Sequence, residues 1–342
     1  MNIKAVAKRA GVSTATVSRT INESDKVNPK TAEKVRKAIA ALHFYPNTNA
    51  RTLGSGRSNL YGLIISDITN PFFPELVKAF EDIAVEHGKE VLVANTNYDP
   101  ARMEMCVTRM LQRKVDGLAI MTSEMDDRLL DIVSRRHIPI VSMDTLAPIP
   151  GCSRVQMDYA EGIRSGLKHL TGLGHRRIAF LSGPMRLNSA VVRLRAFTDF
   201  MRSRDLPIEP ELLQEGNHRV EGGRNAMQRI LDWIARGHPR PTAVMASNDL
   251  TAIGALGAMH DAGLRVPDDI SLIGYDDIQL SEYTQPALTT LRLARPEIAT
   301  AAFRALFNAR LSGPADPATG SDGEDHIIQP VLIVRRSTGP AA

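Results

Sequence analysis

From residue 60 onward the chain alternates short apolar runs with amphipathic stretches, a pattern that restricts it to a parallel, doubly wound α/β architecture. The spacing predicts strands at Leu60–Ser66, Glu90–Asn95, Gly117–Thr122 and Ile138–Met143, then at Arg177–Ser182, Thr242–Ser247 and Ile270–Tyr275. Helices are expected between them, among others over Pro74–Glu86, Ala190–Arg202 and Asp249–Ala262. A stretch of about 280 residues is large for one such sheet, so two similar lobes are expected. Leu288–Arg295 and Gln329–Arg335 are expected to cross back between them. Leu311–Asp325, rich in Gly, Pro, Ala and Asp, reads as a surface loop.

The first 60 residues are different in kind. They hold six Lys and five Arg against Glu23, Asp25 and Glu33, a net +8, whereas the rest of the chain carries 31 basic and 35 acidic residues, a net −4. A small basic head on a mildly acidic body suits a polyanionic partner, although a solvated basic face has the same charge. The residue pattern separates the two. Ile3, Val6, Ala7 and Ala10 share one face of a short helix, and Gly11-Val12 ends it. Ser13 can cap a second helix from Thr14 to about Asn22, with Val17 and Ile21 inward and Thr14, Ala15, Ser18, Arg19 and Asn22 outward. A third helix starts at Asn28-Pro29 and turns Ala32, Val35, Ile39 and Leu42 inward. This is a helix-turn-helix plan. Short hydroxyl side chains let the second helix approach base edges, and Arg19 is long enough for a forked contact to guanine.

The run Ile3-Lys4-Ala5-Val6-Ala7-Lys8-Arg9-Ala10-Gly11-Val12-Ser13-Thr14-Ala15-Thr16-Val17-Ser18-Arg19-Thr20-Ile21-Asn22 resembles the headpiece of the lactose/galactose repressor (LacI/GalR) family. Phe44-Tyr45-Pro46-Asn47-Thr48-Asn49-Ala50-Arg51-Thr52-Leu53 resembles that family's hinge, where a leucine wedges into the minor groove. The resemblance implies DNA contacts from Lys4, Ser13, Thr14, Ala15, Thr16, Ser18, Arg19, Asn22, Asn47, Arg51 and Leu53. The body is similar to the family's periplasmic-binding-protein-like sensor core through Asp67-Ile68-Thr69-Asn70-Pro71-Phe72-Phe73, Gly172–Phe180, Ala246-Ser247-Asn248-Asp249 and Gly274-Tyr275-Asp276-Asp277. The expected fold is an all-α helix-turn-helix headpiece with a hinge helix, then a two-lobed α/β core of two doubly wound parallel sheets. Expected boundaries are 1–46 for the headpiece and 47–58 for the hinge and linker. The first lobe takes 59–160 with 290–325, and the second takes 161–289 with 326–342.

Ligands of doubly wound folds bind beyond the carboxyl ends of the strands. Asp144, Asn248, Asp249, Asp276 and Asp277 fall at such ends, and Arg193 lies on the helix after Arg177–Ser182. The resemblance implies effector contacts from Asp144, Arg193, Asn248 and Asp276, and pocket walls from Phe73 and His218. Carboxylates accepting from vicinal hydroxyls, donors from Arg and Asn, and an aromatic cover suit a sugar or polyol. Each assignment has a structural alternative. Asp249 and Asp277 can cap helices and are left out of the set, Phe72 and Phe73 can be core, His218 can be a loop residue, and Arg193 can sit in a salt bridge. Purine sensors of the family carry an additional basic residue where this chain has Leu187.

Other classes are disfavoured. No phosphate-binding loop, nucleophile elbow or zinc-protease motif occurs, and the nine His lack metal-ligand spacing. The glycines of 166–174 precede a strand, the reverse of a dinucleotide fingerprint. No enzyme activity, cofactor or metal is expected. Cys106 and Cys152 lack a disulfide or zinc pattern, no run of some 18 apolar residues exists, and the N-terminus has no leader pattern, so a cytoplasmic protein with no membrane partner is expected. The end at Ser337-Thr338-Gly339-Pro340 has no heptads, which favours a homodimer on a pseudo-palindromic double-stranded operator over a tetramer. The reading is thus a transcription regulator controlled by a small molecule, a carbohydrate before others. Control by a protein corepressor or a purine, and a DNA-tethered enzyme, remain as alternatives.

Overall fold

The computed structural model describes residues 2–21, 27–45, 57–122, 129, 132–133, 138–144, 152–312 and 325–341. The chain divides into two units, Met1–Ser58 and Asn59–Ala342.

The first unit has three helices, α1 (Ile3–Ala10), α2 (Thr14–Ile21) and α3 (Pro29–Ala41). Its core is Val6, Ala7, Val17, Val35 and Ala38, with Ile3, Ala10, Ile21, Ile39 and Leu42 packed around them. Gly11 ends α1 at φ +66°, a left-handed conformation that a glycine adopts without strain. Asn28 Oδ1 accepts from the Lys30 N–H at 3.0 Å and starts α3, with Pro29 in its first turn.

The second unit contains two six-stranded sheets. The first has the order β11-β5-β4-β3-β1-β2 and is parallel throughout. Its strands are β1 (Leu60–Ile65), β2 (Glu90–Asn95), β3 (Gly117–Met121), β4 (Ile140–Met143), β5 (Cys152–Met157) and β11 (Asp325–Ile328). The second has the order β12-β10-β9-β8-β6-β7, with β12 alone antiparallel. It comprises β6 (Ile178–Ser182), β7 (Leu213–Glu215), β8 (Ala243–Ala246), β9 (Ser271–Asp276), β10 (Thr289–Arg292) and β12 (Val331–Ile333). Central strands such as β3 and β6 are buried at every position, which is why they read as unbroken apolar runs.

The helices are α4 (Phe72–Glu86), α5 (Pro100–Gln112), α6 (Tyr159–Gly172), α7 (Asn188–Ser203), α8 (Val220–Ala235), α9 (Asp249–Asp261) and α10 (Arg295–Ser312). α4 buries Phe72, Phe73, Leu76, Phe80 and Ala84 along one stripe and packs on α10. Phe303 of α10 meets Phe80 edge-on at 5.6 Å and Tyr61 of β1 at 5.5 Å. α6 packs on α7.

Two stretches join the sheet opposite to the lobe expected for them. Residues 290–292 belong to β10, which pairs with β9, and 326–328 belong to β11, which pairs with β5. The chain completes a strand before it crosses, so the crossings fall near 158, 293–295 and 329–330. Tyr159 and Ala160 accordingly open α6, which sits on the second sheet's side. Strands β5, β7 and β11 went unforeseen because β5 is interrupted by Ser153, Arg154 and Gln156, β7 has three residues, and β11 is an edge. Residues 313–324, most of the expected surface loop, lie outside the described residues. The helix before them runs to Ser312 and the strand after them starts at Asp325.

Candidate functional site

In the first unit, α2 presents the surface singled out from the sequence. Val17 is fully buried and Ile21 packs on the same core. Thr14, Ala15 and Arg19 are therefore exposed, and Ser18 is partly so. Ser13 Oγ accepts from the Thr16 N–H at 3.1 Å and lies 2.9 Å from Thr16 Oγ1, so both hydroxyls serve the cap. Thr20 turns inward and donates to the Thr16 carbonyl at 2.9 Å. Lys4 is exposed on α1. The sequence-derived positions Asn22, Asn47, Arg51 and Leu53 lie outside the described residues.

In the second unit, Phe73, Asp144, Arg193, His218, Asn248 and Asp276 all line one cavity of about 50 Å³ at the carboxyl ends of the strands. Arg193, one turn into α7, is 5% accessible. Its guanidinium carbon sits 4.1 Å from the centre of the Tyr159 ring and 4.6 Å from that of Tyr275. No carboxylate within salt-bridge distance neutralises it among the described residues, and its Nε has no hydrogen-bond partner. The described residues therefore offer no salt bridge to this residue.

The two carboxylates face it from different sheets. Asp144 follows β4 at φ +58° and accepts the Tyr159 hydroxyl at 2.5 Å on Oδ2. Asp276 ends β9 at φ +109°, and burial pushes its carboxyl up to about 8, with Arg193 pulling the other way. His218 stands at φ +61° with its ring buried. Burial first, and then the Arg193 charge, push its imidazole down to about 3. The ring stacks on Tyr98 at 6.4 Å and 29° and packs so close to Gly183 that a Cβ there would lie 2.0 Å from Nε2. Phe73 walls the cavity and meets Phe72 edge-on at 5.2 Å.

Asn248 has structural commitments as well. Its Oδ1 accepts the Thr251 N–H at 2.9 Å to cap α9, and its Nδ2 donates to the His218 carbonyl at 3.0 Å. Asp249 and Asp277 neither cap nor line the cavity. Asp249 accepts from Ile278 N–H at 2.9 Å, Ser281 Oγ at 2.7 Å and Thr290 Oγ1 at 2.5 Å, and so braces the loop after β9. Asp277 pairs with Arg292 at 2.6 Å and Arg335 at 2.7 Å.

Sequence reasoning missed Tyr98, Tyr159 and Ser189, which also line the cavity. Ser189 precedes Arg193 by four residues, so helical periodicity would have placed it on the same face. Tyr98 follows β2, where the strand-end rule would have reached it. Tyr159 carried no such signal. Next in the chain to the cavity-lining Ser66, Asp67 after β1 accepts from Arg219 Nε and Nη2 at 3.0 and 2.9 Å, and Arg219 also donates to Asn97 at 2.6 Å. Burial pushes the Asp67 carboxyl up, but bonds from Thr69 and Arg219 outweigh it and hold the group below its ordinary value. Behind Asp276, Arg295 donates to Glu75 at 2.7 Å and to the Asp277 carbonyl at 2.8 Å. Both arginines tie elements of the first sheet's side to elements of the second's.

Residues 2–47 match the lacI family of bacterial regulatory proteins, and residues 167–338 match a periplasmic binding protein-like domain. The HTH-type transcriptional repressor PurR of Histophilus somni is 33% identical over 338 residues, 98% of each chain. The HTH-type transcriptional regulator DegA of Bacillus subtilis is 34% identical over 338 residues, 98% of this chain and 97% of its own. Among solved structures, the lac repressor dimer bound to operator and the anti-inducer ONPF superposes with a TM-score of 0.86 at 29% identity, covering 99% of each chain. The transcriptional regulator CelR–cellobiose complex superposes at 0.70 with 26% identity, over 98% of this chain and 99% of its own. With a helix-turn-helix unit, a two-sheet core and full-length relatives of this kind, the chain belongs to the LacI family of bacterial DNA-binding transcription regulators.

Proposed function

We propose that a homodimer of this chain binds a pseudo-palindromic operator through α2, and that a polyhydroxylated small molecule in the cleft changes its operator affinity. The observation that carries the ligand reading is Arg193, a buried cation without a carboxylate partner among the described residues, facing Asp144 and Asp276 in a cavity also lined by Ser189 and Phe73. Ring hydroxyls can donate to the Asp144 carboxylate, exchange hydrogen bonds with the Asp276 carboxyl and accept from the guanidinium, while Phe73 covers an apolar face. Leaving such a cation unsatisfied costs more than leaving an exposed one, so a ligand that satisfies it gains correspondingly.

The cavity of about 50 Å³ admits a few waters but no sugar ring. A ligand therefore enters only as side chains or lobes move apart, and its different affinity for the two arrangements is what couples it to DNA. Solved relatives with bound cellobiose and ribose support the carbohydrate class. A polar, charge-bearing cleft also supports a small molecule over a protein corepressor.

A purine is the second reading. The stacked Tyr98–His218 pair offers it a flat surface, and several full-length relatives are PurR repressors. Leu187 is buried and apolar, in the segment where the family resemblance implies an additional basic residue for purine sensors, and this weighs against it. A thermal-shift panel of sugars, polyols and nucleobases separates the two. At a hundredfold excess over Kd, a ligand stabilises the native state by about 2.7 kcal/mol. A sugar or polyol hit that also moves the operator titration is the expected result. A nucleobase hit replaces the first reading with the second, and no hit in the panel removes the small-molecule reading.

A further inference from the structure

We propose that Tyr159 is the positioning residue of the cleft, its ring orienting Arg193 and its hydroxyl holding Asp144 in place for ligand. The inference rests on the cleft being the effector site and names a residue that neither motif nor strand-end position pointed to.

Among the described residues, no carboxylate or carbonyl accepts a hydrogen bond from Arg193 to fix its plane, and its Nε has no partner. The Tyr159 and Tyr275 rings lie 4.1 and 4.6 Å from its guanidinium carbon, and a desolvated cation is attracted to both faces. The same Tyr159 donates its hydroxyl to Asp144 Oδ2 at 2.5 Å. One side chain therefore links a carboxylate at the end of β4 in the first sheet to a cation on α7, which follows β6 of the second.

The backbone under Tyr159 is anchored where the chain first crosses. Asp158 donates its N–H to the Ile328 carbonyl at 3.0 Å, and its side chain caps α6 by accepting the Glu161 N–H at 2.9 Å. Tyr159, the next residue, is thus held at a point where two crossings meet. Three residues on, Gly162 leaves room for the second ring, since a Cβ there would lie 2.5 Å from the Tyr275 hydroxyl. Tyr275 can then settle 6.0 Å from Tyr159 with Arg193 against both.

The test uses the full-length protein and calorimetry with D-ribose, D-galactose, cellobiose, sorbitol and hypoxanthine, followed by the tightest binder of these. Tyr159→Phe keeps the ring over Arg193 and removes the bond to Asp144, and it should weaken binding roughly tenfold. Asp144→Asn, which weakens the acceptor and also removes the carboxylate's own contact to ligand, should weaken it more. The further loss from Tyr159→Phe should be smaller in the Asp144→Asn background than in wild type, because the bond it removes is already weakened there. Tyr159→Leu, which also strips the ring from Arg193, should cost distinctly more than Tyr159→Phe.

An independent readout needs no ligand. Phenylglyoxal should label Arg193 faster in Tyr159→Leu than in wild type, and Tyr159→Phe should restore the protection. A residue that merely fills space would give equal losses in the wild-type and Asp144→Asn backgrounds, and that overturns the proposal. Unchanged affinity in Tyr159→Phe, with clear losses in Asp144→Asn and Arg193→Ala, also overturns it while sparing the cleft. Should Tyr159→Leu fail to fold, the Tyr159→Phe and Asp144→Asn cycle still decides. Absence of binding by all five probes overturns the cleft reading and this proposal together.

Discussion

On α2 the polar groups stand in solvent, whereas in the cleft they are buried: Arg19 is exposed, and Arg193 is 5% accessible without a carboxylate partner among the described residues. The two arginines therefore pay for their roles at different moments. On the proposed function, water solvates Arg19 until DNA replaces it, so its contribution should appear only in the complex and be screened by salt. Arg193 is desolvated as the chain folds, and on the same proposal a ligand should recover part of that cost. A polar group in solvent carries information through its geometry on the partner. A buried one carries it through its own lack of partners.

The comparison breaks first at Arg193. Arg193→Met should weaken effector binding by about 1.5–3 kcal/mol, ten- to over a hundredfold, as read by calorimetry. The same change should shift the stability of the unliganded protein in urea only modestly, because the cost of burying the charge and its attraction to the Tyr159 and Tyr275 rings are lost together. A large loss of unliganded stability would mean that Arg193 is a structural member of the core. At Arg19 the pattern reverses. Arg19→Ala should leave unfolding unchanged and cost roughly 1–3 kcal/mol at one symmetric pair of operator positions, measured with single-base operator variants. Equal losses on all sequences would reduce Arg19 to a phosphate contact.

Burial in the cleft also predicts pH effects with opposite signs. The Asp276 carboxyl is at about 8 in the fold, against 3.8 for a free group, so the folded state binds the extra proton between those values. Its contribution to stability is complete below pH 3.8 and is lost as pH rises to about 8, at up to about 1.4 kcal/mol per pH unit. His218 behaves oppositely: at about 3 in the fold against 6.5 free, it contributes fully above pH 6.5 and loses that as pH falls towards 3. Between pH 6.5 and 8 only the Asp276 slope remains of the two. Denaturant titrations should show Asp276→Asn flattening that window and His218→Gln flattening the acid limb. The smallest effect belongs to the helix start: Ser13→Ala should destabilise the first unit by about 1 kcal/mol, seen in the amide exchange of α2.

Much of this was legible because burial writes itself into sequence. β3 and β6 are enclosed on both faces and appear as apolar runs, and the strand-end rule by itself leads to Asp144 and Asp276, which line the cleft. β5, β7 and β11 were lost because polar residues interrupt β5, β7 is too short for a pattern, and β11 is an edge. The crossings were misplaced by a few residues for a related reason, since nothing local marks where a finished strand changes sheet. Asn248 was found by position, and its cap on Thr251 is local, but its bond to the His218 carbonyl depends on a loop 30 residues away. Tyr159 reads locally as one more apolar residue on a helix. Its meaning appears only when the fold brings Asp144, 15 residues earlier, and Arg193, 34 later, to the same ring.

The central claim is that a ligand in the buried polar cleft governs what the exposed α2 surface does on DNA. Fluorescence anisotropy of a labelled operator, titrated with wild type and with Arg193→Ala in the presence and absence of the hit from the thermal-shift panel, tests it directly. The account predicts that ligand shifts the wild-type operator affinity, that the variant binds operator as well as unliganded wild type, and that ligand at the same concentration no longer moves it. An equal ligand-induced shift in both proteins would contradict the account.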